Sequence, residues 1–179
     1  IFKSIKKKYK ILAVVSARGG SKGVPGKNLK KLNNKPLLSY CLNTLLKIKE
    51  IDKIVLSSDS EKILKFGKKF SRQIELSKRP KFLAQDNTPL TSVVKHVALE
   101  KLKKNYKADY VLQIAPTCPF IKKETYKKII FYLKKGNDCV VTLKRIEHEH
   151  PYRAKKLNFK NKVFKIFIKN KNVESFISR

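Results

Sequence analysis

Short apolar runs alternate with helical patterns along most of this chain, and that alternation limits its fold more than any other feature. Residues 11–16 are continuously apolar rather than alternating, as in a strand covered on both faces. Lys35-Pro36 suits a helix start with proline in the first turn, and Leu37, Leu38, Cys41, Leu42, Leu45 and Leu46 follow at helical spacing. Residues 53–57 read as a second buried strand. Ser58-x-x-Glu61 fits a capping box opening a helix that runs to Phe70. A short third strand is expected at 74–76. After a loop over 79–87, Thr88 reads as an N-cap with Pro89 at the first helical position, and Val93, Val94, Val97, Ala98 and Leu102 line one face. A fourth strand is expected at 109–114, a helix at 121–133 and a fifth strand at 138–143. From Lys144 the chain turns polar, R-I-E-H-E-H-P-Y-R, before a hairpin of 156–159 and 163–168 across 160–162.

This order predicts an α/β fold: a doubly wound, mostly parallel sheet in a Rossmann-like three-layer sandwich, with a C-terminal hairpin or arm. Residues 1–10 are a basic lead-in and 11–179 a single domain, of which 144–179 begins the arm. Ligands of such sheets bind outside the carboxyl ends of the strands. That rule gathers the 16–28 loop, Ser57-Ser58-Asp59, Ala115-Pro116-Thr117 and the loop after Leu143 on one rim.

The first of those loops, V-S-A-R-G-G-S-K-G-V-P-G-K-N at 15–28, holds four of the chain's six glycines. Glycine lets backbone N–H groups turn inward to form an anion-holding nest, and Arg18, Lys22 and Lys27 add positive charge there. A strand running into a glycine-rich, cationic loop suits phosphate. It is not a Walker A loop, because Ser21 stands where glycine is required and Asn28 follows Lys27 instead of a hydroxyl residue. The dinucleotide pattern G-x-G-x-x-G cannot be placed either. Arg18 can fork onto phosphate oxygens, and Lys22 and Lys27 can neutralise charge on a leaving pyrophosphate. Asn28 offers an amide to a phosphate or ribose oxygen, or serves simply as a turn residue.

The net charge of +31 points first to nucleic acid. Only six of the 44 basic residues are arginine, and the lysines are spread evenly, which reads instead as a solvated surface with non-specific attraction to polyanions. A lysine-rich nucleic-acid-binding domain stays the alternative from another class. No apolar run approaches the roughly 20 residues of a membrane helix. Cys41, Cys118 and Cys139 are odd in number and widely spaced, so a reducing, cytoplasmic setting without disulfides is expected, each thiol buried or half-buried. The sequence begins at Ile1 and stops at Arg179 without a closing helix, as a piece of a longer chain would.

A-R-G-G-S-K-G-V-P-G-K-N at 17–28 resembles the N-terminal signature of the CMP-N-acylneuraminate synthetases. R-P-K-F-L-A-Q-D-N-T at 79–88 resembles the same family's second motif, with Leu90 where relatives often carry serine. L-Q-I-A-P-T-C-P at 112–119 resembles its Q-P-T-S-P turn, with Ala115 in place of the glutamine and Gln113 as a substitute on the same strand face. The resemblance implies a nucleotide-diphospho-sugar transferase-like fold and an enzyme that moves CMP from CTP to a nonulosonic, sialic-type acid, releasing pyrophosphate. Pseudaminic, legionaminic and 3-deoxy-manno-octulosonic acids are alternative acceptors. It further implies nucleotide binding by Arg18, Gly19, Gly20, Ser21, Lys22, Asn28, Arg79 and Thr88. Lys27 and Arg179 would be catalytic, and Gln113 and His150 would meet the sugar acid. Mg²⁺ and a homodimer of the full-length protein are implied as well. The family's D-x-D metal pair does not occur in this sequence, and Asp59 is the one acidic residue expected on the rim near the phosphate loop. The histidines lack H-E-x-x-H spacing, so a zinc site is not expected.

Overall fold

A computed structural model describes residues 9–20, 23–143, 155–158 and 163–166. The chain divides into two units, Ile1–Val140 and Val141–Arg179, and each is taken by itself.

The first unit is built on a four-stranded parallel sheet. Its strands are β1 (Ile11–Ser16), β4 (Lys53–Ser58), β5 (Ile74–Lys78) and β6 (Tyr110–Ile114), in the order β5-β4-β1-β6. β1 is central because both its faces are apolar: Ile11 through Val15 are fully buried. Ile11, Ala13 and Val15 point to one face, where they pack with Leu38, Leu42 and Leu45 of α1 (Leu37–Leu46), Ile63 of α2 (Glu61–Phe70) and Ile130 of α4 (Lys123–Lys134). Leu12 and Val14 point the other way, against Val97 of α3 (Leu90–Lys103). Each fully buried leucine or isoleucine stabilises the fold by about 1.5–3 kcal/mol. The predicted three-layer parallel sandwich is therefore present. Among the described residues no helix is long and apolar enough to cross a membrane.

Several local expectations are corrected. Lys35–Pro36 is a short strand, β3, paired antiparallel with Lys31–Leu32 (β2), and α1 starts after it with Pro36 at the capping position. No capping box forms at Ser58: α2 starts at Glu61, and the Ser58 hydroxyl accepts instead from the Ser60 N–H at 3.1 Å. Thr88 does not cap α3, because Pro89 holds that position and the Thr88 hydroxyl donates to the Phe82 carbonyl at 3.3 Å. The fifth strand is not formed: 138–143 pairs with no strand among the described residues, although β6 presents an open edge. Cys41 is buried, which pushes its thiol up to about 12, whereas Cys118 and Cys139 are exposed. Lys101 departs from the solvated lysine surface and is buried in the core.

In the second unit, β7 (Lys155–Asn158) pairs antiparallel with β8 (Val163–Ile166), with Leu157 opposite Phe164. This is the expected hairpin, one residue displaced at its start. Residues 159–162 and 167–168 of that reading lie outside the described residues.

Candidate functional site

Burial of β1 sets the site, because the chain leaves the sheet where the apolar run stops. The Ala17 N–H extends the parallel pairing by donating to the Ser57 carbonyl at 3.0 Å, and Arg18 then emerges at the carboxyl edge. The Gly19 N–H donates to Asp59 Oδ1 at 2.8 Å. A Cβ on Gly19 would stand 2.8 Å from the Ser60 Cβ, so no other residue fits without displacing the loop. Asp59 thus ties the loop to the end of β4, and the Gly19 N–H belongs to that tie rather than to an open anion nest.

The loop's other end is closed by Gly26, whose φ of 64° lies in the region glycine tolerates best and starts a 3₁₀ turn over Lys27–Leu29. That turn buries Asn28, whose Nδ2 donates to the Arg18 carbonyl at 2.8 Å. Asn28 therefore cross-braces the loop ten residues after Arg18, and it also lines the cleft.

Arg79 follows β5. Its N–H donates to the Ser58 carbonyl at 2.8 Å, its Nη2 to the Ser57 carbonyl at 2.9 Å and its Nε to the Ser57 hydroxyl at 3.4 Å. The residue is only 5% exposed. Burial pushes its guanidinium below the ordinary arginine value, nearby Asp59 pulls it up, and Arg18 pushes it down again. A buried cation beside a second cation favours an anionic ligand.

These residues frame two adjoining clefts at the switch point, where strand order reverses between β1 and β6. The first, of about 140 Å³, is lined by Ser16, Arg18, Lys27, Asn28, Arg79, Leu90 and the Ala115-Pro116-Thr117 turn. The second, of about 240 Å³, shares Arg18, Arg79 and Leu90 with it and adds Leu83, Gln85, Asp86, Thr88 and Val93. Arg18 Nη1 pairs with Asp86 Oδ1 at 2.6 Å.

Of the residues singled out in the sequence, Arg18, Lys27, Asn28, Arg79 and Thr88 meet at these clefts. Gln113 does not: it is exposed on the edge strand β6 and lines neither cleft. Gly20 has open space where a Cβ would be. Ser21, Lys22, His150 and Arg179 lie outside the described residues. Two residues were missed. Ser16 ends β1 with a buried hydroxyl that finds no partner among the described residues, and the residue lines the first cleft; a serine closing an apolar strand was the available signal. Asp86 sits inside the 79–88 motif, but nothing in its spacing points to Arg18.

The sequence matches the cytidylyltransferase family over residues 12–175. The chain belongs to the cytidylyltransferase family. It is 34% identical over 161 residues to a pseudaminic acid cytidylyltransferase of Campylobacter jejuni, covering 87% of this chain and 66% of that one. To a CMP-N,N'-diacetyllegionaminic acid synthase of Legionella pneumophila it is 33% identical over 141 residues, covering 76% of this chain and 59% of the other. The chain thus spans about two thirds or less of the curated relatives' length. Among solved structures, a CMP:2-keto-3-deoxy-manno-octonic acid synthetase complexed with CTP superposes with a TM-score of 0.56 at 17% identity, over 70% of this chain and 48% of that one, which shows the shared fold.

The cytidylyltransferase clefts present cations and hydroxyls, and they suit positioning and charge stabilisation rather than covalent chemistry. They do not supply a protein-only magnesium cage. Among the described residues no group of three or more His, Cys, Asp or Glu side chains converges. Asp59 Oδ1 is taken by Gly19, and Asp86 by Arg18.

Proposed function

We propose that this protein transfers CMP from CTP to a nonulosonic acid and releases pyrophosphate. One observation carries the reading: in a cytidylyltransferase-family chain, Arg18, Lys27 and the buried Arg79 converge on one cleft at the switch point. In this proposal Arg18 and Arg79 hold phosphate oxygens, and Lys27 offsets charge on the departing pyrophosphate. Ser16 and Thr117 line the same cleft, and the buried Ser16 hydroxyl has no hydrogen-bond partner among the described residues. Mg²⁺ belongs to this reading as a companion of the nucleotide, its oxygens coming from phosphates and water. The acceptor is a nine-carbon sugar acid of the pseudaminic, legionaminic or neuraminic type, with the first two favoured by the relatives the chain resembles. A homodimer is proposed for the longer protein.

The deciding experiment measures pyrophosphate release with each of the four nucleoside triphosphates against a panel of these acids and 3-deoxy-manno-octulosonic acid. It compares the 179 residues with a version extended past Arg179. The 179 residues should bind CTP and turn over slowly, and the extended version should release pyrophosphate with CTP and a nonulosonic acid. Equal use of all four nucleotides, or no acid-dependent release from either version, sinks the reading.

A further inference from the structure

The ion pair between Arg18 and Asp86 is hard to reconcile with a cleft simply waiting for an anion. Arg18 lines both clefts, but Asp86 lines only the second. Their contact, Nη1 to Oδ1 at 2.6 Å, is a charge-assisted bond of the kind a phosphate oxygen would make. The side chains are 32% and 44% exposed, so water reaches the pair and its exchange costs little. Arg79, by contrast, is fixed by Ser57 and has no such carboxylate partner among the described residues.

We propose that Asp86 is an internal competitor for Arg18. Its carboxylate occupies the guanidinium until a nucleotide or pyrophosphate displaces it, and it retakes the guanidinium as pyrophosphate leaves. Asp86 is then a positioning residue that lowers anion affinity and assists product release. Anion binding exchanges one ion pair of Arg18 for another and turns the Asp86 carboxylate out toward water. The inference rests on the nucleotide reading above, but its test does not depend on which base is bound.

The test is titration of the protein with inorganic pyrophosphate and, separately, with CTP and with ATP, by calorimetry at physiological salt. The variants are Asp86→Asn, Asp86→Glu, Arg18→Ala and the Arg18→Ala/Asp86→Asn double variant. Asp86→Asn should bind pyrophosphate about threefold to fivefold more tightly than the parent, the size an exposed ion pair commands. Asp86→Glu should restore the parent affinity, which a merely structural role for the position would not do. In the Arg18→Ala background the gain from Asp86→Asn should shrink by more than half, since the guanidinium that Asp86 competes for is gone. Unchanged or weaker binding by Asp86→Asn, an equal gain in both backgrounds, or no pyrophosphate binding by the parent overturns the proposal. A gain with pyrophosphate but no preference for CTP leaves the competitor standing and fails the cytidylyl reading. A parent that prefers CTP, with no gain in Asp86→Asn, does the reverse.

Discussion

Among its described residues the first unit buries two cations, Lys101 and Arg79, and the two are handled in opposite ways. Lys101, on α3, has a side chain 4% exposed and reaches Glu75 at 2.8 Å and Glu100 at 3.6 Å. Lys53 adds a further contact to Glu75, and the Ser77 hydroxyl donates to Glu100 at 2.7 Å. Arg79, on the rim, rests on a carbonyl and a hydroxyl of Ser57, with no carboxylate in ion-pair reach among the described residues. A neutralised buried cation is part of the scaffold. Arg79, with Asp59 nearby but outside ion-pair distance, lines a cleft at the carboxyl ends of parallel strands, where the proposed function gives it an anion to bind.

Replacing Lys101 should therefore have the largest effect, and on stability. Lys101→Met leaves Glu75 and Glu100 without their buried partner. We expect a loss of roughly 2–3 kcal/mol in urea unfolding, below the value for fully buried pairs because both glutamates are partly exposed. CTP affinity should not change. A variant that unfolds like the parent would break the contrast on the scaffold side.

Gly19→Ala comes next. The added Cβ meets Ser60 and pushes the loop off Asp59, at a cost of about 1–3 kcal/mol, and the shifted Arg18 should weaken CTP binding as well. Unaltered thermal stability and affinity together would show that the loop is not held as described.

Arg79→Met sharpens the comparison most. The Ser57 carbonyl keeps the Ala17 N–H, so little is left unsatisfied, and stability should stay within about 1 kcal/mol of the parent. Binding of CTP should fall roughly tenfold to a hundredfold, the worth of a charge-assisted contact to phosphate. If this variant instead destabilises as much as Lys101→Met while binding CTP normally, Arg79 is scaffold and the two cations are alike.

The smallest effect is in acid. Burial pushes Glu75 and Glu100 up, but Lys101, Lys53, Lys104 and the Ser77 hydroxyl outweigh it, and both carboxyls end below their ordinary value of 4.5. A depressed folded value means that their stabilisation is complete above pH 4.5 and is lost as pH falls below it toward the folded values. Acid unfolding of Lys101→Met should accordingly be flatter in that window than that of the parent. Parallel curves would mean that the network contributes nothing to the pH response.

Lys101 and Arg79 also show where the sequence could be read and where it could not. The run at 11–16, flanked by helical spacing, was enough to place β1 in a parallel sheet and its loop on the ligand rim, because apolar periodicity is set by which faces must leave water. The glycines and cations of 18–28 marked that loop by their own chemistry, whereas Arg79 was marked only by the resemblance of 79–88 to a family motif. Nothing local separated Lys101 from the other lysines, since its burial depends on Glu75 arriving from β5 on the far side of a crossover. Gln113 looked equivalent to a cleft residue by strand alternation, yet β6 is an edge strand and leaves it in solvent. The pairing of Asp86 with Arg18 joins loops 68 residues apart in sequence, and the apolar run at 138–143 pairs with no strand among the described residues. Local pattern determined which segments are buried and which loop gathers glycines and cations. Tertiary structure decided which charges meet, because an ion pair depends on distance in space, and composition carries no record of that.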